Sequence, residues 1–555
     1  MTFPRILSAA AAAAVIFSCI SCTDRNEKAP RISRYRDKEK EYRIGQSYSE
    51  DTGTESEHHS APPHLAEADE EKLNEIEGIV QQLVMDLERS GSEDEIRNRI
   101  NTLIDRYNSL YDERTMAEVA FYGNYTDDSI SDIYDGYCRN LAVAEALITY
   151  GFHIGQQSEY SSLFQGLLPA DAEEQYSNGD YDTEAVRIEA EMAYQDASEY
   201  LYEYYDIIGS EKLSDDEKDL KCAEILLEML SDYTPETLYE QYNRDYTGED
   251  ILALSETVAE EMLPAYDALI DAYVNSYITS EFDITEPDIG DPFYVIRNYA
   301  QKLSPDISKS ADRIVKEQLY TIKNDDSAFE GAFTDELPSE NSAYIFIGNV
   351  SDDHLLGTAV HEFGHFHASF YDDTPALAIT DNIDLAEIQS QGFELLFTQF
   401  YDDIYDQSGN NMRLYTLADL CDAVTCGFMV GKFEYDLVSD AENLSPEDVV
   451  ELFGEAASYY DGSLHLYEIE HLFESPGYYI SYATSALASL ELFDDVMNDK
   501  EKALEKYESI AKISCNSDEY TFREALKKCG FRDVLSKESI TRTADMLKKY
   551  AEELS

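Results

Sequence analysis

Two histidines four residues apart, with a glutamate after the first, make up the segment His361-Glu362-Phe363-Gly364-His365. On a helix, positions i and i+4 share a face one turn apart. The two imidazoles can therefore turn toward one divalent ion. Glu362 sits beside that face, where it can take a proton from a water that the ion activates. Two neutral imidazoles with a nearby carboxylate suit zinc better than calcium or magnesium. A catalytic zinc also needs a third protein ligand and one open position.

Carboxylates that could complete the set follow within one helical stretch. Asp384, Glu387, Gln391 and Glu394 recur at spacings of 3, 4 and 3, beside an apolar face of Leu385, Ile388, Leu395 and Leu396. Thr380 or Asp381 is the expected cap of this helix, and Ser351-Asp352-Asp353 the expected caps of the histidine helix, which should run to about Tyr371. A carboxylate stripe facing another helix is costly without partners; a metal and its histidines would supply them. One carboxylate would ligate and others would orient imidazole N–H groups. A third histidine six residues after His365 is excluded, because Tyr371 stands there. Asp384 lies 19 residues beyond His365 and Glu387 lies 22 beyond, and Glu387 is the better candidate. The short apolar run Ala343-Tyr344-Ile345-Phe346-Ile347-Gly348 is the clearest strand.

Together, His361-Glu-x-x-His365 and Asp384-x-x-Glu387-x-x-Ser390-Gln391-x-x-Glu394 resemble the thimet oligopeptidase and oligoendopeptidase F family of zinc peptidases. The block Ile469-Glu470-His471 to Tyr478-Tyr479-Ile480-Ser481-Tyr482-Ala483-Thr484 is similar to that family's His-plus-Tyr segment, most of all in the oligoendopeptidase F branch. The matching blocks lie within residues 343–490. The resemblance implies a mainly α, two-lobed helical zincin (a gluzincin) with a small β-sheet beside the active-site helix and a deep substrate channel. It implies one Zn2+ held by His361, His365 and Glu387, with Glu362 as general base. His471, Tyr478 and Tyr482 would line the site, one or both tyrosines bonding the oxyanion. Asp384 would be the partner of a ligating histidine, and Glu394 a further carboxylate behind the ligands. The sequence departs from the family's pattern at His367, Gly477 and Ser485. His367 points to another helix face and is read as structural. The peptide is expected to pair with the strand near Tyr344–Ile347.

The rest of the chain has to build helices around these residues. Apolar side chains recur at helical spacing from Glu71, as in Leu73, Ile76, Val80, Leu83 and Leu87. Similar patterns cover 97–110, 129–150, 183–208, 215–233 and 252–277. Residues 71–290 read as an N-terminal helical lobe and 291–555 as the lobe carrying the zinc chemistry. The 555 residues are 43% hydrophobic, enough for a large core. With 41 basic and 115 acidic residues the net charge is −74, which excludes nucleic-acid binding in any ordinary mode. The 43 tyrosines, with no tryptophan, weaken any role assigned to a tyrosine on its type alone.

Residues 1–21 read as an export signal. Arg5 precedes the apolar run Ile6–Phe17, which is too short to span a bilayer. Ser18-Cys19-Ile20-Ser21-Cys22 resembles a bacterial lipoprotein signal, with Cys22 as the lipidated residue and Cys19 its rival. Residues 22–70 read as a disordered tether, in which His58, His59 and His64 form a solvated cluster. No later run of 18 residues is apolar throughout. The six remaining cysteines show no paired spacing. The expected protein is an exported, lipid-anchored zinc endopeptidase acting on short peptides and facing outward or into a periplasm. A zinc carboxypeptidase and a non-catalytic peptide-binding surface protein are the alternatives.

Overall fold

The computed structural model describes residues 67–124, 127–168, 182–210, 212–231, 233–279, 290–325, 327–460 and 464–555. The export signal, Cys19, Cys22 and the tether histidines lie outside these residues. So does 280–289, next to the expected boundary near 290.

Seven helices come first: α1 (Glu70–Glu88), α2 (Glu93–Gly123), α3 (Asp128–Gln156), α4 (Thr183–Ile208), α5 (Asp215–Met229), α6 (Pro235–Glu240) and α7 (Gly248–Thr279). Their starts carry the expected chemistry. Ser92 with Glu95 and Ser214 with Glu217 form reciprocal capping boxes, and Asp182 accepts from Ala185 N–H. Then come α8 (Pro292–Ala300) and α9 (Pro305–Glu317), each opened by proline in its first turn, where a missing N–H costs nothing.

The sheet follows: β1 (Tyr320–Lys323), β2 (Gly331–Leu337) and β3 (Ser342–Gly348), in the order β1-β3-β2. β3 lies parallel to β1 and antiparallel to β2, with Gly331 opposite Gly348 and Leu337 opposite Ser342. Every residue of β3 is buried. Its alternate side chains serve two cores: Tyr344 and Phe346 pack with Val119 and Tyr122 of α2, while Ala343, Ile345 and Ile347 join the main core. This corrects the expected peptide-binding strand. Both edges of β3 are already hydrogen-bonded, so no added strand can pair there; the outer edges belong to β1 and β2.

The histidine helix α10 (Asp352–Ser369) and the carboxylate helix α11 (Ile383–Phe397) come next. Ser351 is the residue before α10 but makes no side-chain cap bond, and α10 ends at Ser369, two residues short of Tyr371. α11 starts one residue later than expected. Asn382 takes the cap position without a capping side-chain bond, because its amide is turned to Tyr520 C=O at 3.1 Å. The chain closes with α12 (Tyr401–Tyr405), α13 (Gly409–Asp440), α14 (Pro446–Ala456), α15 (His471–Glu474), α16 (Ile480–Asn498), α17 (Lys500–Ile510), α18 (Phe522–Lys528) and α19 (Lys537–Leu554).

One core joins the apolar side chains of residues 201–272 with those of 293–554. Residues 73–194 form a second core, to which Leu377 of the α10–α11 connection contributes. The two cores separate near residue 200. The region 383–443 is apolar and long enough to cross a membrane by composition, yet 72% of its most apolar window is buried inside the protein. Among the described residues no disulfide joins Cys138, Cys222, Cys421, Cys426, Cys515 or Cys529.

Glu434 on α13 is 1% exposed, and burial pushes its carboxyl up to about 7, against the pull of Gly477 N–H and Arg244. The folded protein holds this proton more tightly than the unfolded chain does. The resulting stability is complete below the ordinary pKa of 4.5 and is lost as pH rises to about 7. Glu434→Gln keeps an acceptor for Gly477 N–H and cannot ionise. Thermal unfolding of the two proteins between pH 4.5 and 7 should show the wild type losing up to ~3 kcal/mol relative to the variant. Parallel curves would contradict this.

Candidate metal centre

Helices α10 and α11 pack side by side. Gly364, inside the histidine motif, lets them approach: a Cβ there would lie 2.6 Å from both Gln389 C=O and Ser390 Cα. This contact brings the carboxylate of α11 to the imidazoles of α10. Single donor atoms of His361, His365 and Glu387 lie within 4.8 Å of one another, and this is the metal-ready cluster among the described residues. His361 Nε2 is 3.7 Å from Glu387 Oε2, and the two imidazole centroids are 5.1 Å apart. Donors around a tetrahedral zinc stand about 3.3 Å apart, from Zn–N and Zn–O bonds of about 2.0–2.2 Å. The triangle is wider than that, and its side chains would close inward around the ion. His361 is 2% and Glu387 0% exposed. Burial, then the charge of His361, holds His365 well below the usual histidine range, so it is neutral and able to ligate. The donor set fits a zinc ion.

The carboxylate behind His361 is Glu394, with Oε1 2.6 Å from His361 Nδ1. A proton on Nδ1 shared with Glu394 leaves the Nε2 lone pair for the metal. Asp384 does not take this role, contrary to the expectation. Its oxygens accept from Arg244 Nε (3.3 Å), Tyr246 OH (2.9 Å) and Thr484 OH (3.1 Å). Three to four residues separate the members of the stripe, and helix geometry alone cannot say which one lies opposite an imidazole. Replacing Glu394 by Gln should weaken zinc binding by about 10–100-fold without unfolding the protein. Chelator competition titrations of the two proteins measure this, and equal affinities would remove Glu394 from the account.

Glu362 is fully buried, and Thr334 of β2 donates to its Oε2 at 2.7 Å and to its C=O at 3.1 Å. No motif points to Thr334; only the register of the sheet beside α10 places it there. His367 is also fully buried. Its Nδ1 is 2.9 Å from Ser310 Oγ and its ring stacks on Phe363, which fits the structural role read from the sequence. Burial holds its pKa down to about 4.

His471, Tyr478 and Tyr482 meet beside the candidate triad. Their ring centroids lie 4.9–5.7 Å apart. Tyr482 OH is 3.3 Å from His471 Nε2. Tyr478 OH donates to Glu387 Oε1 at 2.8 Å, and Ser390 OH reaches Glu387 Oε2 at 3.2 Å. Tyr478 thus bonds the candidate ligand directly, while Tyr482 pairs with His471. Sequence reasoning also missed the segment that walls this cluster from the far side. Tyr242 packs on Tyr478 at 6.4 Å, and Tyr205 of α4 donates to Glu470 (3.0 Å) and Glu474 on either side of His471.

No protein-family profile and no curated protein sequence matches the chain. Solved structures do. PZ peptidase A, solved with an inhibitor, superposes with a TM-score of 0.66 at 14% identity, over 90% of this chain and 99% of that one. A candidate oligoendopeptidase F from Bacillus anthracis str. Ames gives 0.65 at 12% identity, over 89% of this chain and 98% of that one. Metallocarboxypeptidase 1 of Trypanosoma cruzi gives 0.55 at 12% identity, over 82% and 99%. At these identities the likeness establishes the fold: a mainly helical chain with a small sheet beside the histidine helix, of the architecture seen in oligoendopeptidase F-type and metallocarboxypeptidase structures.

Proposed function

We propose that the chain is an exported zinc-dependent endopeptidase that hydrolyses short peptides, anchored to a bacterial cell membrane through lipid on Cys22 and facing outward or into a periplasm. The observation that carries the catalytic part is the convergence of His361, His365 and Glu387 donor atoms within 4.8 Å, with Glu362 in the same helical turn as His361. Peptidase names on the structures of like fold support the substrate class.

His361, His365 and Glu387 would hold a zinc ion, which when bound would supply Lewis acidity to the scissile carbonyl and to a water. Glu362 would accept a proton from the attacking water and return it to the leaving amine. Thr334 fixes Glu362 Oε2 so that the carboxylate needs no reorientation at the moment of transfer. Glu394 holds His361 in the ligating tautomer. Tyr482, paired with His471, donates to the oxyanion as charge develops there. The peptide adds to the outer edge of β2, the strand that touches Glu362 through Thr334. The leader 1–21 and the tether are read from sequence composition alone.

The likeness to a metallocarboxypeptidase favours a second reading, removal of residues from peptide C-termini. Metal analysis of the purified protein, with a quenched-peptide assay before and after chelation, tests the main reading. One zinc per chain and chelator-sensitive cleavage of peptides blocked at both ends are expected. Cleavage confined to peptides with a free C-terminus would favour the second reading, and no cleavage with no metal would overturn both.

A further inference from the structure

The residues that shape the tyrosine side of the site include one from a segment that no motif marks. Arg244 lies between α6 and α7, and its side chain is wholly buried. Its guanidinium makes three directed bonds to three separate elements. Nη1 donates to Gly477 C=O at 2.7 Å, Nη2 to Ser481 Oγ at 2.6 Å, and Nε to Asp384 Oδ2 at 3.3 Å. Tyr239, Tyr242 and Tyr246 surround it at 4.7–5.6 Å, so it is sheathed by aromatic faces as well as paired with a carboxylate.

Gly477 is the reason such a clamp is needed. Its φ of +81° is a left-handed conformation, and a Cβ there would lie 2.7 Å from Leu238 C=O. Its N–H donates to Glu434 Oε1 at 2.6 Å while Arg244 takes its carbonyl. The preceding carbonyl, of Pro476, accepts from Gln241 at 2.7 Å and Tyr242 OH at 3.1 Å. Both peptide units flanking Gly477 are therefore fixed from outside the turn. The next residue is Tyr478, whose hydroxyl sits on Glu387 Oε1, while Glu387 Oε2 faces His361 Nε2.

We infer that Arg244 is a positioning residue of the active site: it sets the Pro476–Tyr478 turn so that Tyr478 locks the Glu387 carboxylate with one oxygen toward the metal. Arg244 touches neither substrate nor metal; it acts through Gly477 and Tyr478. A lysine cannot replace it, because an ammonium has no planar fork to reach three acceptors at fixed angles. The inference rests on the proposed metal centre and adds a residue to it.

Cobalt substitution of the whole protein tests it, since the visible spectrum of cobalt reports coordination number independently of turnover. Arg244→Lys and Tyr478→Phe should change the cobalt spectrum in the same way, by freeing Glu387 Oε1. Arg244→Lys should lower kcat by about tenfold or more with KM changed less than about threefold. Adding it to Tyr478→Phe should cost under about twofold further, because both act on one contact. Ser481→Ala, which removes one anchor and no charge, should shift the spectrum in the same direction and decides the matter if Arg244→Lys fails to fold. An Arg244→Lys protein with wild-type spectrum and kcat, or losses that multiply in the double variant, would overturn the inference. A wild type that takes up no cobalt and cleaves nothing would instead overturn the proposed function, and the inference with it.

Discussion

Glu362→Gln should leave one zinc per chain in place and lower kcat/KM by about 10²–10⁴-fold, or about 3–5 kcal/mol of transition-state stabilisation. The carboxylate of Glu362 is not one of the three donors that converge. Its replacement by an amide of the same shape leaves the hydrogen bond from Thr334 OH an oxygen to go to. Folding and metal content should therefore be unchanged, and only the capacity to accept a proton is lost. Steady-state kinetics on a quenched peptide, with metal analysis of the same sample, reads both. A variant that keeps zinc and turnover would show that another group is the base. A variant that loses zinc would place Glu362 among the ligands.

The second large effect is expected from one added methyl group. Gly364→Ala puts a Cβ 2.6 Å from Gln389 C=O and Ser390 Cα, both backbone atoms that cannot rotate aside. Helices α10 and α11 must separate, and Glu387, three residues before Ser390, moves with its helix. Overpacking of this kind costs about 1–3 kcal/mol of stability. The loss in zinc affinity should be larger in proportion, because three ligands at fixed distances tolerate little displacement. Thermal unfolding with and without zinc separates the two effects: the variant should fold, unfold at a lower temperature, and gain less from added zinc than the wild type. Equal stabilisation by zinc in both proteins would mean that the close approach at Gly364 does not set the ligand geometry.

Much of the helical framework is legible in the sequence, because amphipathic spacing and caps are local signals. The expected helix 183–208 coincides with α4, and 252–277 lies inside α7. The convergence of His361, His365 and Glu387 is legible for the same reason, since a spacing of four on one helix and a carboxylate stripe on the next need only one packing event. What stays hidden depends on distant partners. β1 has only four residues and β2 mixes Thr, Asp and Glu among its apolar residues, so β3 could not be recognised as the central strand. Asp384 and Glu394 are equivalent in spacing, and the difference between them comes from Arg244, 140 residues earlier in the chain. Tyr478 and Tyr482 are four residues apart, yet only the turn at Gly477 shows that one holds Glu387 while the other pairs with His471. The division of the core near residue 200 is likewise a matter of which helices meet, since α7 packs on α13 and α19.

Anomalous diffraction at the zinc edge, on crystals of the purified protein, tests the central claim most directly. One peak is expected, about 2.0–2.2 Å from a ring nitrogen of His361, a ring nitrogen of His365 and Oε2 of Glu387. A zinc-loaded crystal with no peak there, or with the ion held by other side chains, would contradict it.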